Sequence, residues 1–126
     1  MQRTKLATSL ALLIFTLSVN AEDQSYLLNS TPIQRADSQT RFMKNKLGLS
    51  DEQVAAVQDI NLELAKRTEP VLKGASINLI KIKDIENIQE QKYEALSHVL
   101  SELQLNILSN SKDELKDALK SDITHL

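Results

Sequence analysis

One five-residue pattern, Leu-Ser-x-x-Gln, occurs twice in this chain, at Leu49-Ser50-x-x-Gln53 and at Leu100-Ser101-x-x-Gln104. It constrains the fold more than any other feature because it dictates where helices begin. The Ser hydroxyl accepts from free backbone N–H groups of the first turn, and the Gln side chain reaches back to the Ser backbone N–H. The Leu before the cap packs on the residue four places into the helix, Val54 in one copy and Leu105 in the other. Each copy is a capping box with a hydrophobic staple.

The sequence between and around these starts is helical in pattern. Glycine and proline number two each, so each position carries information. Thr31-Pro32-Ile33-Gln34 reads as another capped start, with Pro at the first helical position. This first helix should run to about Lys46 or Leu47 and stop at Gly48, with Lys44 and Lys46 matching the dipole of its last turn. The second helix opens behind Ser50, with Asp51 and Glu52 in its first turn and Val54, Val57, Ile60 and Leu64 forming a stripe. Pro70 removes a backbone donor and disfavours helical geometry at Glu69, so a kink or short loop is expected within 68–75. The third helix should span about Ala75 to His98, with Ile77, Ile80, Ile85, Ile88, Leu96 and Val99 on one face. Ile80-Lys81-Ile82-Lys83 alternates like a strand, but no other segment offers a partner. The fourth helix should open behind Ser101 and continue to about Lys120. Leu108, Leu115 and Leu119 line one face, and Lys112, Lys116 and Lys120 form a solvated column. Residues 121–126 are expected to fray. The fold class is all-α, a small bundle or bent hairpin of about four helices within one domain, residues 31–126.

The N-terminus reads as a cleavable secretory signal. Arg3 and Lys5 precede the apolar stretch Leu6 to Val19, and Val19-Asn20-Ala21 places small residues where a signal peptidase cuts. The apolar run is too short for a spanning helix, which needs about 20 residues. Cleavage after Ala21 leaves 105 of the 126 residues, and losing Arg3 and Lys5 takes the formal charge from −2 to −4. Residues 22–30 look like a loose mature N-terminus. The mature chain carries no Cys, and its aromatic residues are Tyr26, Phe42 and Tyr93, so the core must be aliphatic.

Composition narrows the chemistry. An acidic chain without a basic block is a poor match for nucleic acid or an anionic membrane surface. A metal site needs several converging ligands. His98 has only Glu94 nearby, four residues before it, and His125 lies in the terminus, so no metal and no cofactor are expected. Ser50 and Ser101 are accounted for as caps, no nucleophile elbow occurs, and Gly48 and Gly74 cannot form a phosphate loop. The chain is read as a non-enzyme. A thin helical chain of this length leaves Leu and Ile on one face, which dimerisation or partner binding would cover.

Taken together, the two motifs and the stretch KLGLSDEQVAAVQDINLELAK (residues 46–66) resemble the Spy/CpxP-like periplasmic LTxxQ-motif family. VLSELQLNIL (residues 99–108) is similar to the later motif of that family. The resemblance spans residues 36–120, and its motif residues are Leu49, Ser50, Gln53, Leu100, Ser101 and Gln104. Ser stands where the family usually has Thr, and the two cap equally well. The resemblance implies a bent antiparallel helical protomer, usually a curved homodimer, working in the bacterial envelope stress response. It implies ATP-independent, chaperone-like holding of unfolded proteins, or alternatively an adaptor that damps one envelope sensor. The Met-rich and His-rich stretches of metal-binding relatives do not occur here, and the acidic mature charge contrasts with the basic residues that assist Spy-type cradles.

Overall fold

The structure is a computed structural model that describes residues 26–74 and 79–124. The leader with its cleavage point, the expected helix start at Ala75, Ile77 and His125 lie outside the described residues. Among the described residues a helical turn at 26–28 is followed by α1 (Pro32–Leu47), α2 (Asp51–Leu72), α3 (Leu79–Ser97), α4 (Glu102–Ser109) and α5 (Lys112–Thr124). No strand occurs among the described residues, and the all-α class stands.

Three helix starts are built as their sequences dictate. At α1, the Gln34 N–H donates to Thr31 Oγ1 at 3.1 Å and the Thr31 N–H to Gln34 Oε1 at 2.9 Å. Ser50 and Gln53 make the same reciprocal pair ahead of α2, and Ser101 and Gln104 ahead of α4. Gly48 ends α1 at φ 62°, its N–H donating to Lys44 O. A left-handed residue is needed there, and glycine adopts it without a Cβ clash.

Four expectations are corrected. First, the break expected within 68–75 comes at the far side of Pro70 and not at it: α2 runs through Pro70 to Leu72, and the chain turns at Lys73 and Gly74. Pro70 sits exposed in the last turn; it forfeits one N–H bond to Lys66 O, and the ladder resumes with the Lys73 N–H donating to Glu69 O at 3.0 Å. Glu69 stays helical, held by Arg35 and, at 3.6 Å, by Lys73. Second, the expected long last helix is two. The chain turns at Asn110 and Ser111, where Ser111 Oγ donates to Ile107 O at 2.6 Å and the Asn110 N–H to Asn106 O at 3.1 Å. Ser and Asn offer the backbone local alternatives to the helical ladder, and the turn redirects α5 onto α1. Third, residues 26–30 are packed. Residues 26–28 form a helical turn, and Tyr26, Leu27 and Ser30 are buried. Fourth, α5 continues to Thr124, with Ile123 buried and Asp122 bound to Ser38 and Arg41 at 2.6 and 2.8 Å.

Helix α1 is central. It packs along α2, and α5 and α4 lie against it, while α3 packs on α2, meets α1 through Lys92 and Gln39, and reaches α4. The apolar stripes meet in one core. Val57 is fully buried, Leu96 and Leu108 nearly so, and Ile85, Leu115 and Leu119 close around them. The stripe positions Val54, Ile60 and Val99 are half-buried against that core. The Ile80–Lys83 segment is helical, consistent with the i, i+3 spacing of Ile85 and Ile88 that continues it.

Candidate functional site

The two copies of the motif are brought face to face. Gln53 Nε2 donates to Gln104 Oε1 at 2.8 Å, and Gln104 Nε2 approaches Gln53 Oε1 at 3.3 Å. Each amide also crosses to the backbone ahead of the other cap. Gln53 Nε2 donates to Val99 O at 3.0 Å, and Gln104 Nε2 donates to Leu47 O at 3.3 Å. Each Oε1 meanwhile accepts from its own Ser N–H, at 3.1 Å for Ser50 and 2.9 Å for Ser101. The result ties the end of α1, the starts of α2 and α4, and the turn after α3 into one joint. Leu49, Leu100 and Leu105 are buried beneath it, with Val54 packed against the same core.

Chemically the joint is a clasp. Both Ser hydroxyls accept from first-turn N–H groups, at 3.2 Å from Gln53 and 3.1 Å from Gln104. No base addresses them. Among the described residues no group of three or more His, Asp or Glu side chains converges as a metal site would require. Glu94 and His98 do share a face, 3.2 Å apart, and both are exposed.

A second feature lies between α2 and α3. An open groove of about 1140 Å³ is floored by Ile60, Leu62, Leu64 and Ala95. Its rims carry Asp59, Glu63, Glu90 and Glu94 against Lys66 and Arg67. Arg67 is committed, to Glu63 at 3.4 Å and to Gln91. The groove is open to solvent rather than enclosed, and the Arg67–Gln91 hydrogen bond joins α2 to α3 across it.

The inward face of the N-terminal half of α1 is polar, which stripe reasoning did not find. Arg35 is 3% exposed and donates to Leu27 O at 2.9 Å, to Ser30 O at 2.8 Å and to the Glu69 carboxylate. Gln39 accepts from Lys92 Nζ at 2.7 Å, and Thr40 from Asn61 Nδ2 at 2.9 Å. Lys92 has no carboxylate partner among the described residues, and burial pushes its ammonium down to about 7. Gln89 Oε1 and Asn61 Oδ1 are buried without a hydrogen bond. One signal was available. Ala36, Met43 and Leu47 keep helical spacing in α1, and Gln39 and Thr40 occupy the stripe positions between them.

No helix among the described residues is long and apolar enough to cross a membrane. Comparison with protein families, with characterised proteins and with solved structures finds no match to this chain.

Proposed function

We propose that this chain is an exported, periplasmic protein of the Spy/CpxP-like kind that binds unfolded or partner proteins without ATP, as a homodimer and without a cofactor. The observation that carries this reading is the duplicated Leu-Ser-x-x-Gln motif, whose copies meet through Gln53 and Gln104 and join four helices at one point. Both motif serines are engaged as helix caps, so binding is the activity this reading has to place. The open aliphatic groove between α2 and α3 offers a surface for it. The test is an aggregation assay with protein lacking residues 1–21. Suppression of client aggregation at stoichiometric ratios is expected, and no suppression overturns the chaperone reading.

The mixed rim of the groove supports the alternative, a regulatory adaptor for one envelope sensor. The fixed Glu63–Arg67–Gln91 cluster would reject partners whose charges do not match it. Crosslinking in cells separates the two: one dominant partner favours the adaptor, a broad distribution of clients favours the chaperone.

A further inference from the structure

The α2–α3 groove has an aliphatic floor and an unequal charge on its rims. Four carboxylates, Asp59, Glu63, Glu90 and Glu94, face two cations, Lys66 and Arg67. The imbalance sharpens once committed groups are set aside. Glu63 and Arg67 neutralise each other, and Glu94 has only the His98 ring beside it. Asp59 and Glu90 are exposed and have no ion-pair partner among the described residues. One rim cation, Lys66, is left against them. Ile60 and Ala95 are half-exposed on the floor, so an occupant would remove apolar surface from water.

We propose that this groove takes an aliphatic polypeptide segment flanked by lysine or arginine. The proposal rests on the protein-binding reading above and specifies its substrate class. The floor supplies non-directional affinity, and the groove's excess of carboxylates, concentrated on α3 at Glu90 and Glu94, selects by charge. A Lys-flanked segment finds the unpaired carboxylates of Asp59 and Glu90, whereas a Glu-flanked segment meets like charge along the α3 rim and one uncommitted cation, Lys66, on the α2 rim.

Two labelled peptides test this, with one leucine-rich core and either lysine or glutamate flanks, titrated against the purified chain by fluorescence anisotropy. The Lys-flanked peptide should bind about tenfold tighter at low salt, the sum of two or three exposed charge pairs. The gap should shrink as salt rises. Glu90→Lys with Glu94→Lys, both exposed and remote from the motif clasp, should invert the preference. Equal binding of the two peptides overturns the proposal, as does an unchanged preference in the reversed variant. If neither peptide binds while aggregation is still suppressed, the groove assignment fails and the chaperone reading stands. If the charge preference appears without suppression, the groove stands and the chaperone reading fails.

Discussion

The side-chain amides of Gln53 and Gln104, 51 residues apart in sequence, hydrogen-bond to each other while each completes the cap of its own helix. One amide oxygen thus serves a local cap and a tertiary contact together. This turns two independent helix starts into a coupled pair.

That coupling is measurable. Gln53→Ala and Gln104→Ala should each cost about 1–2 kcal/mol, having lost a capping bond and a cross-chain bond. The double variant should cost less than the sum of the two, with an interaction energy of about 1 kcal/mol, read from denaturant titrations in a double-mutant cycle. Additive losses would show that the two copies act separately.

Ser50→Ala and Ser101→Ala test the local half of the same device. Each should lower stability by about 1 kcal/mol, the usual cost of a lost N-cap. Far-ultraviolet circular dichroism should show helix content retained at low temperature. Loss of binding with unchanged stability would give these serines a role beyond capping.

Arg35 holds residues 26–30 and α2 to α1. Its removal takes the guanidinium from Ser30 O, leaves Leu27 O with Ser30 Oγ alone, and leaves the Glu69 carboxylate with Lys73 at 3.6 Å. Arg35→Ala should cost about 3 kcal/mol, in the range found when one partner of a buried ion pair is deleted. Proteolysis should then cut first around residues 26–30. A variant as stable and as protected as the parent would mean that the packing of Tyr26 and Leu27 suffices.

Lys92 predicts a pH dependence with a definite sign. In the unfolded chain the ammonium keeps its proton up to 10.5, whereas in the fold burial lets it go above about 7. Between those values the unfolded state binds more protons, so stability rises with pH across that window and is lost again as pH falls toward 7. Below 7 this contribution is flat, with the cost of burying the charge fully present. Lys92→Met should abolish the rise between pH 7 and 10 in urea denaturation, even though Gln39 loses its donor. A rise that persists in the variant would assign the dependence to other groups.

The N-terminal boundaries of α1, α2 and α4 were determined by the sequence, because each capping box is satisfied within four residues and needs nothing from the rest of the chain. The stop at Gly48 was legible for the same reason. The aliphatic stripes were legible through their period, and Val57, Leu64, Ile85, Leu96, Leu108 and Leu119 are buried as that period requires. Tertiary structure decided the rest. Pro70 is carried within α2 because Glu69, the residue it disfavours in helical geometry, is held in place by Arg35 and Lys73. Asn110 and Ser111 end α4 because α5 must turn back to bury Leu115, Leu119 and Ile123 against α1. The polar face of α1 is interior because its partners, Asn61, Glu69, Lys92 and Asp122, arrive from three other helices. The Gln53–Gln104 clasp belongs to this second group. Each glutamine announces a cap in its own pentapeptide, but only the packing of α2 against α1 and α3, with α4 closing on both, places the two amides within hydrogen-bonding distance.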